Sequence, residues 1–259
     1  MNGEKIDMSE SMKKGIYILP NLFTTGSLFA GFYGMVASID GDYRSAAIWI
    51  LVSSIFDGLD GKVARLTGTT SKFGVEYDSL ADLVAFGVAP GILMYSWALR
   101  PFGRLGWLAA FLFVVCGALR LARFNVQVAT VESKRFVGLP IPAAASIVSA
   151  TVLLFSHFGW PSSYKKLAIL VLIYSLAFLM VSNFRYYSFK DPEFIKRQPF
   201  SMLVLAILLL IVVAARPVEM LFIFFICYMF SGPVSFFITY PRRRRLEKAL
   251  HKGGDKPHS

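Results

Sequence analysis

Long apolar runs limit what this chain can fold into more than any other feature. Stretches at 16–37, 44–64, 75–98, 105–126, 142–159, 167–184, 200–215 and 217–239 are long enough, or nearly so, to cross a hydrocarbon core as helices. They predict an all-α integral membrane protein, a polytopic bundle of about eight transmembrane helices with a cytoplasm-facing polar cavity. The seventh run is short and Arg216-Pro217 breaks the chain after it, so the last two also read as one re-entrant pair. With 56% hydrophobic residues, 17% charged residues and a mean hydropathy of +0.58, the chain is too apolar for an ordinary soluble domain or a disordered one. The polar opening, Met1 to Lys14, and the missing small-residue cleavage site make the first run a spanning helix rather than a removed signal peptide.

The basic residues give an independent check on the count. A net charge of +11 would suggest nucleic acid in a soluble chain, but here the cations sit between and after the apolar runs. They read as topology signals and lipid-headgroup contacts, and no nucleic-acid partner is expected. With the N-terminus inside, the cytoplasmic segments collect Lys5, Lys13, Lys14, Lys62, Arg65, Lys72, Arg120, Arg123, Lys134, Arg135, Arg185, Lys190, Lys196, Arg197 and the basic tail. Only Arg44, Arg100, Arg104, Lys165, Lys166 and Arg216 fall outside, which places both termini in the cytoplasm. In a bacterium the host would be the inner membrane. Trp97, Trp107 and Trp160 fall at the opposite ends of the helices, where an aromatic belt would lie. Cys116 and Cys227 lie in apolar stretches without metal-ligand spacing, and neither a disulfide framework nor a thiolate site is expected. The chain divides into a cytoplasmic segment at 1–15, a transmembrane catalytic domain at 16–240 and a basic cytoplasmic tail at 241–259.

Charged side chains in spanning helices cost about 2.5–3.5 kcal/mol each near the helix centre, so they are functional candidates by default. Four aspartates occupy one short stretch, in Asp57-Gly58-Leu59-Asp60-Gly61-Lys62 and Gly74-Val75-Glu76-Tyr77-Asp78-Ser79-Leu80-Ala81-Asp82. Three- and four-residue spacings put each set along one helical face, so two antiparallel helices can aim all four carboxylates at one point. Such a cluster repels itself unless cations fill it, and hard divalent metals with oxygen ligands do this best. Gly58, Gly61 and Gly74 leave room for backbone to approach a bulky anionic ligand, and Lys62 and Arg65 can hold phosphate oxygens. Metal-dependent phosphoryl chemistry follows, with two metals clamping a pyrophosphate and one carboxylate accepting a proton. The plainer alternative is that the aspartates form ion pairs with Lys62, Arg65 and Lys72 at a helix end.

Asp57-x-x-Asp60-Gly61-x-x-Ala64-Arg65, eight residues, then Gly74-x-x-x-Asp78-x-x-x-Asp82 resembles the CDP-alcohol phosphotransferase motif at every fixed position. Such enzymes move a substituted phosphate from a CDP-linked donor to an alcohol and release CMP. The resemblance implies that Asp57, Asp60 and Asp78 bind metal, Mg or Mn, as two divalent cations. It further implies that Asp82 binds metal and acts as the catalytic base, and that Asp60, Gly61, Ala64, Arg65 and Gly74 line the donor site. A homodimer is also implied.

The flanks address the acceptor. Leu83-Val84-Ala85-Phe86-Gly87-Val88-Ala89-Pro90, Leu119-Arg120-Leu121-Ala122-Arg123-Phe124-Asn125, Phe136 to Ala145, and the opening Leu19-Pro20-Asn21-Leu22-Phe23-Thr24 look like the phosphatidylserine synthase branch of that family. That resemblance covers about 18–145, leaving additional helices at 146–240 without a motif. It implies transfer of the phosphatidyl group of CDP-diacylglycerol to L-serine within a cavity open to membrane lipids. Serine carries a carboxylate and an ammonium, so its pocket needs a cation and a hydrogen-bond acceptor. Arg120 and Arg123, with Asn125 just beyond, either bind the serine carboxylate or a donor phosphate, or only anchor a helix end. Asn21 and Thr24 either hydrogen-bond the nucleotide or cap the first helix. Ser79 reads as a packing residue, and His157, His251 and His258 as bystanders without ligand spacing.

Two alternatives stay in view. The same chemistry could use glycerol 3-phosphate or inositol phosphate, although those acceptors need several clustered cations. An ion-coupled transporter also uses intramembrane acids, but would carry inverted repeats and broken midplane helices.

Overall fold

A computed structural model describes residues 3–68, 71–128, 136–159, 162–186 and 215–253. Helix α1 runs Gly3–Ile39, α2 Tyr43–Thr67 and α3 Lys72–Asp82. The third rod continues from α3 through a π-helical turn at Leu83–Val88, α4 at Ala89–Met94, a second π turn at Tyr95–Leu99 and a 3₁₀ turn at Arg100–Phe102. Then come α5 at Arg104–Val128, α6 at Ile141–Phe158, α7 at Ser162–Val181 and α8 at Pro217–Gly253. Among the described residues, five helices are long and apolar enough to cross a membrane: Leu19–Ile39, Lys72–Phe102, Arg104–Val126, Ile141–Phe158 and Pro217–Phe236. The protein is therefore a multi-pass membrane protein. Helix α2 misses that apolar criterion because its second half carries Asp57, Asp60, Lys62 and Arg65, and Leu167–Val181 of α7 is a shorter apolar helix. The expected seventh span, 200–215, lies almost wholly outside the described residues, as do Trp160 and Lys134, Arg135, Lys190, Lys196 and Arg197.

Lipid gives little hydrophobic drive between helices, so close contact depends on small residues and interhelical hydrogen bonds. Helices α1 and α2 use both. Ser27 and Ser53 are buried opposite one another, with their hydroxyl oxygens 2.8 Å apart and each within reach of the other's carbonyl. Gly34 lies under Ile50 and Gly26 under Phe56. Gly31 meets the third rod so closely that a Cβ there would sit 2.6 Å from Ala85 Cα. Gly31→Ala should therefore cost about 1–3 kcal/mol through overpacking, seen as a lower unfolding temperature in detergent. An unchanged temperature would contradict this contact. Helix α6 is buried at every position from Ala144 to Val152.

Three features add to the sequence reading. The fold is helical but not wholly so, because Phe136–Val137 pairs antiparallel with Arg185–Tyr186. Gly138 N–H to Phe184 O and Leu139 N–H to Leu179 O extend that pairing and tie the α5–α6 connection to the end of α7. Trp97 packs edge-on against Phe155, whereas Trp107 is exposed as a belt residue would be. His157 sits in the last turn of α6, half exposed, with its Nε2 3.8 Å from Glu219, which Arg216 also contacts.

Candidate active site

Local signals set up the two carboxylate helices. Helix α2 is capped at its start by Asp42, whose carboxylate accepts the Ser45 N–H, and ends at Gly68 with φ +65. The left-handed turn there suits glycine and returns an N–H to Ala64 O. Ser71 then caps α3, its hydroxyl accepting the Gly74 N–H at 2.9 Å. Both α2 and α3 lie against α1, which holds their acidic faces toward each other.

Carboxylate oxygens of Asp57, Asp60 and Asp78 come within 4.8 Å of one another. Asp82, one turn further along α3, stands within hydrogen-bonding range of Asp57, as Asp60 does of Asp78. The four acids therefore form a triad with Asp82 joined to it through Asp57, rather than one symmetric cluster. Asp60 is the deepest, 5% exposed, and accepts a 2.9 Å hydrogen bond from Thr24 Oγ1. No ion pair within 4.0 Å links these aspartates to Lys62, Arg65 or Lys72, so the helix-end salt-bridge alternative does not hold. Three hard oxygen donors converging without a protein counter-charge fit a divalent cation, and Asp57, Asp60 and Asp78 are the residues that would hold it.

The glycines frame this centre. A Cβ on Gly58 would meet nothing within 4 Å, and one on Gly61 only the guanidinium nitrogens of Arg65, at 3.8 and 3.9 Å. Protein packing therefore does not require glycine at either position, and Ala64 beside them is half-buried. Gly74 is tighter, with Ser71 Oγ and Asn21 Oδ1 at 3.1 and 3.4 Å from the same construction point. Lys62 and Arg65 are exposed at the mouth.

Asn21 and Thr24 lie well inside α1, which begins at Gly3, so neither caps that helix. Thr24 braces Asp60, and Asn21 faces Gly74 across the α1–α3 contact. Arg120 and Arg123, treated together in the sequence, part company in the fold. Arg120 is buried, 8% exposed, within Coulombic reach of Asp82, and its Nε has no hydrogen-bond partner. Arg123 is exposed and donates to Asn183 Oδ1 at 2.8 Å, while Asn125 donates to Ser79 Oγ at 3.0 Å. A helix-end anchor would be exposed as Arg123 is, whereas Arg120 is buried.

Sequence reasoning missed several neighbours. Tyr77 shares a 2.9 Å hydrogen bond with Thr25 and stacks on Phe73, a contact between α1 and α3 that no spacing rule signals. Tyr228, far along the chain on α8, sets its ring 5.5 Å from that of Tyr186. The π turn directly after Asp82 was also unforeseen. Pro90, which has no N–H to return to the preceding turn, was the available cue.

The sequence profile of the CDP-alcohol phosphatidyltransferase family matches residues 17–229, and the chain belongs to that family. Among its relatives, the CDP-diacylglycerol–serine O-phosphatidyltransferase of Helicobacter pylori is 42% identical over 217 residues, 84% of this chain and 90% of that protein. The archaetidylserine synthase of Methanothermobacter thermautotrophicus is 38% identical over 69% of this chain and 73% of its own. The CDP-diacylglycerol–serine O-phosphatidyltransferase of Bacillus subtilis is 33% identical over 66% of this chain and 91% of its own. The family match extends well past Ala145, where the recognisable motifs end.

Proposed function

We propose that this chain transfers the phosphatidyl group of CDP-diacylglycerol to the hydroxyl of L-serine, giving phosphatidylserine and CMP. The observation that carries this reading is the convergence of Asp57, Asp60 and Asp78 in a chain 42% identical, over 84% of its length, to an enzyme named for that reaction. Two divalent cations, Mg or Mn, held by the aspartates would neutralise the pyrophosphate and stabilise charge on the departing CMP. Arg65, Lys62, the open backbone at Gly61 and the more crowded Gly74 receive the cytidine diphosphate, with Ala64 and Asn21 beside it. Thr24 fixes the Asp60 carboxylate for its task.

Asp82 takes the proton from serine, whose oxygen attacks the lipid-bearing phosphorus. The bond from that phosphorus to the bridging oxygen breaks, and CMP leaves with that oxygen. Arg120, buried in α5, receives the serine carboxylate, while Arg123 and Asn125 hold the surrounding helix ends. Buried, charge-assisted pairing of this kind suits a carboxylate better than an acceptor bearing a phosphate, which would call for further cations. The site faces the cytoplasm on the basic side of the bundle, opens sideways to lipid because the donor's acyl chains stay in the bilayer, and works as a homodimer.

Incubating the purified chain with CDP-diacylglycerol and serine carrying ¹⁸O in its hydroxyl should place the label in phosphatidylserine. Unlabelled lipid, or no phosphatidylserine, would refute direct attack. Gly61→Ala separates ligand space from packing. Removing a mid-helix glycine should raise stability by about 0.5–1 kcal/mol, while the methyl group intrudes on the donor and raises its KM about tenfold. An unchanged KM would remove Gly61 from the donor site.

A further inference from the structure

A cation held jointly by Asp57, Asp60 and Asp78 requires α3 to keep one rotation about its own axis. A carboxylate oxygen stands about 5–6 Å from that axis, so a roll of about 10° carries it about 1 Å. Metal–oxygen distances tolerate only about 0.2 Å. The backbone alone does not fix the roll, because α3 is an 11-residue helix with the left-handed turn at Gly68 before it and the π turn at Leu83–Val88 after it. Two side-chain hydrogen bonds reach it from different neighbours. The Tyr77 hydroxyl meets Thr25 Oγ1 of α1 at 2.9 Å, and Ser79 Oγ meets Asn125 Nδ2 of α5 at 3.0 Å. Tyr77 and Ser79 flank Asp78 in the chain and lie about 200° apart around the helix, with Asp78 about 100° from each.

Both bonds have a fixed direction, because a hydroxyl carries one proton. Thr25 donates its own to Asn21 O at 2.7 Å, so the bond it shares with Tyr77 is donated by the phenol. Ser79 has Val75 O at 3.0 Å and Asn125 Oδ1 at 3.4 Å as acceptors; the shorter bond takes its proton, and Asn125 donates to it through Nδ2. Each hydroxyl is thus satisfied on its own helix and still accepts from a neighbouring one. Helix α3 is tied to α1 on one side of Asp78 and to α5 on the other.

We infer that Tyr77 and Asn125 are positioning residues, whose hydrogen bonds to Thr25 and Ser79 form a two-sided clamp that sets the roll of α3 and so aims Asp78 and Asp82 at the carboxylates of α2. This rests on the reading of the aspartates as the metal centre. Both residues act through the helix rather than on the reacting atoms.

Binding of Mn to the purified chain in micelles, followed without substrate by the electron paramagnetic resonance of the free ion, tests this apart from turnover. Tyr77→Phe keeps the ring that stacks on Phe73 and removes only the hydroxyl, while Ser79→Ala removes the acceptor on the other side. Each should weaken Mn binding about threefold to tenfold, the worth of one hydrogen bond. The unfolding temperature of the metal-free protein should meanwhile shift by no more than about 3 °C. Together the two changes should weaken binding by more than the product of their separate effects, because either bond alone still tethers α3. Asn125→Ala should match Ser79→Ala and add little to it, since both remove the same bond. Unchanged Mn binding in the Tyr77→Phe, Ser79→Ala double variant would overturn the proposal, as would effects of Ser79→Ala and Asn125→Ala that simply multiply. Weakened binding accompanied by a large fall in unfolding temperature would also overturn it, since that marks general destabilisation. A parent chain that binds no Mn would bring down the metal reading and the clamp with it, whereas every variant outcome leaves that reading standing.

Discussion

Asp78→Asn should lower the rate of CMP release by about three orders of magnitude or more, and the remaining activity should need far higher Mn or Mg. Asn keeps the shape and one oxygen, so helix α3 should still form. What is lost is one of three converging charges and the partner of Asp60, the most buried acid of the set. Hard divalent cations bind carboxylate oxygens through charge, and an amide oxygen is a poor substitute. The same reasoning predicts complete inactivation by a chelator and recovery on adding back Mn or Mg. Metal titrations of the parent and Asp78→Asn measure both effects. Equal metal requirements would contradict the assignment of Asp78 as a ligand.

Asp82→Asn should also abolish turnover, with a kcat loss of about 10²–10⁴, the range for removing a general base. Its signature should differ from that of Asp78→Asn. Asp82 lies outside the three-carboxylate convergence, next to Asp57 and within reach of buried Arg120. CDP-diacylglycerol binding and the metal requirement should therefore stay within about threefold of the parent, with only the chemical step lost. Loss of donor binding in parallel would make Asp82 chiefly a part of the metal centre instead.

Much of this site was legible in the sequence because it is built locally. Asp57 and Asp60 share one helix, Gly74, Asp78 and Asp82 the next, and three- and four-residue spacings convert directly into faces. Spans α1, α5 and α6 were legible for a similar reason, since length and apolar content suffice in a bilayer. Contacts between distant segments were not. That Arg120 turns inward while Arg123 turns out depends on what packs around α5, and a three-residue spacing leaves both options open. Tyr186 carries no motif, and its contacts with Tyr228 and Gly232 of α8 exist only in the fold. A cap stays open for Thr24 in the sequence, beside a nucleotide contact, because the apolar run begins near it; the helix itself starts at Gly3, in polar sequence that hydropathy does not register.

The central claim is that the aspartate centre drives metal-dependent transfer to serine. CMP release by the purified chain, with CDP-diacylglycerol, Mn or Mg, and serine, glycerol 3-phosphate, inositol phosphate or water as acceptor, tests it most directly. The account predicts release that requires both divalent metal and serine. Release with serine that persists in excess chelator, or metal-dependent release supported by another acceptor and not by serine, would contradict it.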